Sequence, residues 1–374
     1  MKKFPRIDWR FTWIGLAVLA LIVRYILSLN PTFTEIVYTR GVFTLFRYVY
    51  DYSLGFLPFP MLYPVLAGLL AWGGWRLWKY IRRPRRRERP LPNRIGSFLL
   101  TTLAVMAILM VAFFVLWGYN YYRVPVEHQM ELELGKLDLS RLQAEIQLAT
   151  REVVEARKQI PGAGDAALDE HFLPPNMECS LRQHLLAVLQ QTGYPAPGRV
   201  RGRQLYPKGW LMRLGATGIY IPFVLEGHID GGLHPISKPF TMTHELSHGY
   251  GFGDEGTANF WAYLATRNAK DPFIQYSGKL YYWLYLASQL RAFSPPAYED
   301  LQGQLPQAIR NDIRSIRENN ARYPPFFPEL FDKIYDNYLK SQGIQEGVQS
   351  YNRVVELVIA WRTKRVDEGQ TKRP

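Results

Sequence analysis

The sequence predicts a membrane-anchored, mainly α-helical protein with a small β-sheet, and three observations support this class. Three long apolar stretches lie within the first 118 of the 374 residues. Most of the remaining chain combines apolar and charged residues with the spacing of amphipathic helices. One short run, residues 217–225, is instead rich in β-branched and aromatic residues, which is typical of a strand. We therefore expect a membrane region, residues 1–118, followed by one soluble domain.

The three apolar stretches are predicted to be transmembrane helices, because each approaches the ~20 residues that cross the hydrocarbon layer. They cover residues 11–29, 56–78 and 95–117. Lysine and arginine precede the first stretch, as they do in a signal peptide. That stretch is too long for a usual signal sequence, and no small-residue cleavage site follows it, so we expect an uncleaved anchor.

Positive charge is concentrated in the membrane region. Of the 45 Lys and Arg residues 16 lie in residues 1–118, against 4 of the 32 Asp and Glu residues, so the net charge of +13 belongs almost entirely to this part. The nearly neutral remainder does not indicate a nucleic-acid partner. The Arg-rich residues 79–94 indicate a cytoplasmic loop, with anionic lipid expected near Arg82–Arg89. The N-terminus is then cytoplasmic, and the chain after residue 118 lies outside the cytoplasm.

Residues 119–362 are predicted to form the soluble domain, and residues 363–374 a disordered tail. Residues 126–158 indicate one helix or two, with a break at Gly135. The strand at residues 217–225 is placed at a sheet edge because Pro222 cannot donate to a ladder. An edge strand of this kind can pair with an extended peptide. Further helices are predicted at residues 181–191, 255–267, 278–293, 305–318, 328–340 and 351–362.

The pattern that carries chemistry is His244, Glu245, Leu246, Ser247, His248. On a helix, His244 and His248 project from one face and can bind one metal ion, which predicts zinc. Glu245 is positioned to act as a general base towards a metal-bound water. Glycines at 249, 251 and 253 then end the helix and let the chain reverse.

A catalytic zinc needs a third protein ligand, and two residues compete for that role. Glu255 begins the next predicted helix, and Asn259 lies one turn later on the same face, where it can support the ligands. Asp254 instead has the spacing of a metzincin ligand, although no methionine turn is recognisable. The residues favour Glu255. His228 and Tyr250 are weaker candidates for stabilising an oxyanion.

The chain also resembles a bacterial membrane-protein family known as domain of unknown function 3810. The resemblance rests on segments spread over nearly the whole chain: 116–123 (LWGYNYYR), 218–223 (GIYIPF), 243–252 (THELSHGYGF), 258–265 (ANFWAYLA), 338–340 (YLK), 343–344 (GI) and 347–348 (GV). It implies N-terminal spans and a zincin-like domain, with no established substrate. The family pattern has two acidic residues in this segment. This chain has Thr257 in place of one of them and keeps the other as Glu255.

These observations predict a membrane-anchored zinc metallopeptidase of gluzincin type that cleaves peptides at the outer face of a bacterial plasma membrane. One alternative is a zinc hydrolase of a non-peptide or cell-wall amide bond. Another is a non-catalytic membrane scaffold with a vestigial metal site. The intact Glu245 disfavours the scaffold, because a structural metal site needs no base. The natural substrate and the oligomeric state stay open at this point.

Overall fold

The structure is a computed structural model that describes residues 8–82, 91–367 and 369. The chain divides into two units. The first comprises residues 1–123 together with Pro222–Val224, and the second comprises Val124–Ile221 and the chain from Leu225 onward. Apart from Arg82, the predicted lipid-contacting cluster Arg82–Arg89 lies outside the described residues. Most of the predicted tail after residue 367 lies outside them as well.

The first unit is helical. α1 packs against α5, and short helices that the sequence did not predict lie between the first two long ones. The elements are α1 (Trp9–Ser28), α2 (Pro31–Phe33), a π-helix (Thr34–Phe43), α3 (Thr44–Asp51), α4 (Leu62–Arg82), α5 (Leu91–Leu116) and a 3-10 helix (Gly118–Tyr122).

Two helices, not the predicted three, are long and apolar enough to cross a membrane within the described chain. They are Trp9–Ser28, with mean hydropathy 1.9, and Ile95–Leu116, with 2.8. Their apolar side chains are largely exposed, as lipid-facing residues are. The second predicted span, residues 56–78, was wrong in this respect. α4 begins only at Leu62, and its glycines, aromatic residues and C-terminal Lys and Arg keep its hydropathy too low.

The aromatic segment after α5 anchors the π-helix within the first unit. Arg123 forms a bidentate ion pair with the buried Glu35, with N–O distances of 2.9 and 3.0 Å. The Thr39 hydroxyl donates to Asn120 Oδ1 at 3.0 Å. Burying a carboxylate is tolerated when its charge is paired and hydrogen-bonded in this way. Residues 116–123 thus have a structural role in the first unit.

The second unit is mainly helical. Its longer helices are α7 (Leu139–Lys158), α8 (Met177–Gln191), α10 (Ser237–Gly249), α11 (Glu255–Arg267), α12 (Pro272–Phe293), α13 (Pro295–Gln304), α14 (Gln307–Ala321), α15 (Pro328–Ser341) and α16 (Arg353–Asp367). Its short elements are α6 (Val126–Gln129), α9 (Trp210–Arg213) and two 3-10 helices (Glu170–Phe172 and Gly347–Asn352).

Most of the predicted helices of this unit are present. The predicted break at Gly135 falls between α6 and α7, and α11 has the predicted bounds. The tail was predicted to begin at residue 363, which is wrong, because α16 continues to Asp367. The sequence also did not predict α13.

A three-stranded mixed sheet completes the second unit, with the order β1-β3-β2. β1 (Arg201–Leu205) pairs parallel with β3 (Glu226–Asp230), and β2 (Gly218–Ile221) pairs antiparallel with β3. β2 is the predicted strand and has the predicted edge position, but it ends before Pro222. The two other strands were not predicted.

One face of the sheet lies directly on α10. A Cβ atom on Gly227 would lie 2.8 to 3.0 Å from the Cβ, O and C atoms of Glu245, closer than Cβ atoms approach such neighbours. Gly227 therefore allows β3 to contact the backbone of α10. The other side of α10 packs on α8, α11 and α12, so all 13 of its residues are buried. This packing places the motif helix between the sheet and a helical layer.

Candidate metal centre

The motif helix and the following helix are joined by a tight turn that brings their ends together. Gly251, at φ +85°, has the left-handed conformation that glycine adopts readily, and its N–H donates to His248 O at 2.9 Å. α11 then begins at Glu255, where the Asp254 side chain caps it by accepting from Thr257 N at 2.7 Å. The turn places the first residue of α11 beside the last turns of α10.

Three buried side chains converge at this corner: His244, His248 and Glu255. The two Nε2 atoms are 3.0 Å apart. Glu255 Oε2 lies 3.0 Å from His244 Nε2 and 3.4 Å from His248 Nε2. Ligand atoms around a tetrahedral zinc lie roughly 3.3 Å apart, given metal–ligand bonds of roughly 2.0–2.1 Å. The donor atoms therefore have the spacing that one metal ion requires.

Hydrogen bonds orient both imidazole rings. His244 Nδ1 lies 2.8 Å from Asn259 Oδ1, and His248 Nδ1 lies 2.7 Å from the carbonyl oxygen of Phe252. Each acceptor requires a proton on Nδ1, which leaves a lone pair on Nε2. Asn259 Nδ2 donates to the Tyr351 carbonyl at 3.3 Å, which supports this orientation of the amide. Metal-ligating histidines are commonly held in this way.

The resulting cluster is electron-rich. Two Nε2 lone pairs and a carboxylate oxygen face one another in a buried site, an arrangement that needs a positive charge at its centre. A proton can supply that charge: burial alone would lower the pKa of His248, but the Glu255 carboxylate outweighs it and raises the pKa to about 9. Burial would raise the pKa of Glu255, but the charge of His248 holds it well below the ordinary value. A metal cation meets the same need with the same three atoms.

Glu245 lies next to this cluster and is almost fully buried. Burial raises its pKa to about 7, against the opposing attraction of His244 and His248. Its Oε1 also faces Gly218 of β2, where a Cβ atom would lie only 2.4 Å away. The carboxylate therefore occupies the space between the candidate ligands and the edge strand.

Two tyrosines that the sequence did not indicate complete the surroundings of the cluster. The Tyr335 hydroxyl, from α15, donates to Glu255 Oε1. The Tyr351 ring stacks on the His244 ring, with centroids 6.0 Å apart and planes 8° from parallel. Both lie far along the chain from the motif, and no local pattern marks them. Their only signal was their proximity to the family segments at residues 338–340 and 347–348.

The other sequence candidates lie elsewhere. Asp254 caps α11, and its Oδ1 forms an ion pair with Arg353 Nη1 at 3.2 Å. Its carboxylate therefore binds the start of α11 and Arg353, and it is not one of the three converging side chains. His228 Nε2 lies 3.4 Å from Glu226 Oε2. Because side chains alternate along a strand and Gly227 faces Glu245, His228 projects from the opposite face of the sheet. Tyr250 is buried in the core at the end of α10.

A separate cavity of about 300 Å³ lies near the start of α10, and its lining includes His234, Lys208 and Arg322. None of the three candidate ligands lines it. The convergence of donor atoms, and not the cavity, therefore defines the candidate centre.

Comparison with known proteins places the chain in a family. No curated protein and no solved structure was found to match the chain. The family described as protein of unknown function, DUF3810, matches residues 38–359, which include most of the first unit and all of the candidate centre. The chain therefore belongs to the DUF3810 family, as its sequence segments predicted.

Proposed function

We propose that the protein is a membrane-anchored, zinc-dependent metallopeptidase of gluzincin type. The observation that carries this proposal is the convergence of His244 Nε2, His248 Nε2 and Glu255 Oε2 within 3.0–3.4 Å of one another. An intact acidic residue, Glu245, lies beside them. A purely structural site would not need that carboxylate.

The donor set favours zinc. Two imidazoles and one carboxylate are the ligands of several catalytic zinc sites, and three protein ligands leave one position open for water. When bound, zinc lowers the pKa of a water ligand to about 7 and polarises a carbonyl oxygen. Asn259 and the Phe252 carbonyl would hold the imidazoles in the ligating tautomer.

Glu245 supplies the acid–base chemistry. Its carboxylate takes a proton from the water that attacks the scissile carbonyl carbon. It then gives that proton to the amide nitrogen as the C–N bond breaks, so a carboxylic acid and an amine leave the site. Burial raises the pKa of Glu245 in the metal-free site, which favours a carboxyl group that can hold the proton between the two transfers.

A peptide substrate is supported by the position of β2. This strand is at the edge of the sheet, and its Gly218 lies against the Glu245 carboxylate. An extended chain that pairs with an edge strand presents its backbone amides in a fixed register. A peptide bound in this way would pass the base and the candidate ligands with one amide bond in reach.

The two apolar helices, Trp9–Ser28 and Ile95–Leu116, support attachment to a membrane. The Arg-rich residues 79–94 favour the cytoplasmic side of the membrane for the segment before Ile95–Leu116, so the metal centre, which follows that helix, is proposed to lie on the outer side. With Trp9–Ser28 as the other span, this proposal puts the N-terminus on the outer side as well, whereas the sequence predicted a cytoplasmic N-terminus. A membrane-impermeant maleimide tests this orientation in spheroplasts. Glu299→Cys in a Cys179→Ser background should label without lysis. Labelling only after lysis would contradict the proposed orientation.

The activity is tested with the full-length protein in detergent. Zinc content is measured by atomic absorption, and hydrolysis is measured on a library of quenched peptides. Wild type is compared with Glu245→Gln, which keeps the shape of the side chain but removes the base. Glu299→Gln, at an exposed glutamate of α13, is the matched control.

We expect one zinc per chain in all three proteins, and peptide cleavage in wild type and Glu299→Gln alone. The loss in Glu245→Gln should be at least ~100-fold, the usual contribution of a general base. Equal cleavage by Glu245→Gln would refute the mechanism. Zinc binding without cleavage of any peptide would refute the peptidase assignment.

A further inference from the structure

The two oxygens of Glu255 have different partners. Oε2 faces both histidines, at 3.0 and 3.4 Å. Oε1 instead accepts a hydrogen bond from the Tyr335 hydroxyl. Glu255 is almost fully buried, so Oε1 would have little access to water without this donor. The tyrosine therefore determines which oxygen of the carboxylate is available at the cluster.

Tyr335 can hold this position because of how α15 is packed. The helix lies against the 3-10 helix Gly347–Asn352, which carries Tyr351. The Tyr351 ring stacks on the His244 ring, and the backbone carbonyl of Tyr351 accepts a hydrogen bond from Asn259 Nδ2. Glu255 and His244 are thus each supported by one tyrosine from the same C-terminal segment. The segment adds no ligand of its own but contacts two of the three.

We infer that Tyr335 is a positioning residue that keeps Glu255 a monodentate metal ligand and so leaves the fourth coordination position open. The inference rests on the zinc site of the proposed function. A carboxylate bound through one oxygen fills one position, and a second oxygen would compete with the water on which hydrolysis depends. The hydroxyl prevents this by occupying Oε1. It touches neither substrate nor metal.

Loss of the Tyr335 hydroxyl should change both the coordination and the affinity of the metal. In Tyr335→Phe, Oε1 keeps its charge but loses its donor inside a buried site, which is unfavourable. Rotation of the carboxylate towards the metal restores a partner for Oε1 and raises the coordination number. Removing a hydrogen bond to a ligand commonly weakens metal binding about 10–100-fold. Both effects are measurable without a substrate.

The test uses the full-length protein in detergent, after removal and re-addition of metal. Zinc affinity is measured by competition with a chromophoric chelator, and coordination is followed by the visible absorption of the Co²⁺ form. Tyr338→Phe is the matched control, because it removes one hydroxyl from the same helix. Its ring, which phenylalanine keeps, stacks on Tyr335 with centroids 6.1 Å apart. Thermal melting of the metal-free proteins checks that each variant is folded. Tyr335→Phe should be folded, because phenylalanine keeps the ring of this residue, which is 37% exposed.

We expect Tyr335→Phe to weaken zinc binding at least ~10-fold. It should also reduce the Co²⁺ absorption, since higher coordination numbers absorb more weakly. Tyr338→Phe should match wild type in both. Wild-type affinity and spectrum in Tyr335→Phe would overturn the inference. A wild-type protein that binds neither metal would overturn the inference and the zinc site together. Zinc binding that depends on Tyr335, without any hydrolysis by wild type, would refute only the proposed function.

Discussion

Replacing Gly218 by alanine should displace the proposed base without removing a metal ligand. A Cβ atom at this position would lie 2.4 Å from Glu245 Oε1 and 2.9 Å from Glu245 Cδ. Ordinary van der Waals contact requires about 3.5 Å, so the carboxylate must shift by roughly 1 Å. The obstacle is the end of a side chain rather than backbone, so the fold can accommodate the methyl group at a cost of about 1–3 kcal/mol.

The catalytic effect is expected to exceed the effect on stability. A misplacement of about 1 Å at a reacting group can lower the rate about 100-fold. The three atoms nearest to a Cβ atom on Gly218 all belong to Glu245 and none to a candidate ligand, so zinc content and zinc affinity should stay near those of wild type. The assay measures peptide cleavage, zinc content and thermal melting for wild type and Gly218→Ala. Gly164→Ala is the control, because a Cβ atom there meets nothing within 4 Å.

Wild-type cleavage by Gly218→Ala would refute the placement of Glu245 as the base beside β2. Loss of zinc from this variant would show instead that the methyl group disturbs the ligands, and would refute the expected separation of base and ligands. Cleavage reduced about 100-fold with zinc retained is the expected result. Gly164→Ala should cleave at the wild-type rate.

Three other substitutions in the second unit have measurable consequences. Asn259→Ala removes the acceptor of His244 Nδ1 and should weaken zinc binding about 10–100-fold. Zinc affinity is measured by chelator competition, and a wild-type affinity in this variant would contradict the role of Asn259. Asp230 is fully buried and accepts from four backbone N–H groups, so Asp230→Asn should lower the free energy of unfolding by about 3 kcal/mol, seen as a lower Tm. Burial lowers the pKa of His234 to about 4. The folded state therefore favours neutral His234. The free energy of unfolding should be highest above pH ~6.5 and fall as the pH drops towards 4, because the unfolded chain takes up the proton first. The loss should be about 2 kcal/mol after allowance for solvent screening. Thermal melting between pH 7 and 4.5 should show a smaller loss for His234→Asn than for wild type.

Local patterns in the sequence were sufficient for much of the candidate centre. A spacing of four residues puts His244 and His248 on one helical face wherever that helix lies. The glycines after the motif and the acidic start of the next helix placed Glu255 and Asn259 beside them, and the structure brings these side chains together. The family segments along the chain were likewise sufficient for membership of DUF3810.

Hydropathy along the chain was less reliable for the membrane region. α4 is long enough to span a bilayer, but its Gly, Trp and Tyr residues contribute length with little hydropathy. A count of apolar residues therefore overestimated the tendency of α4 to span a membrane. The strands β1 and β3 were missed for a related reason. Their polar residues, among them Arg201 and Glu226, do not alternate with apolar ones, although β3 is fully buried and β1 is partly buried.

The sequence alone indicated the candidate ligands, because metal-ligand spacing on one helix is a local property. Apart from Asn259, which the sequence also indicated, only the tertiary structure decided which side chains support those residues. Tyr335 reaches Glu255 across 80 residues of chain, and Tyr351 reaches His244 from the 3-10 helix after α15, through packing that no local spacing encodes. Asp254 and Glu255 are adjacent in sequence and both acidic. The backbone turn at Gly251 decided that one caps a helix while the other faces the histidines.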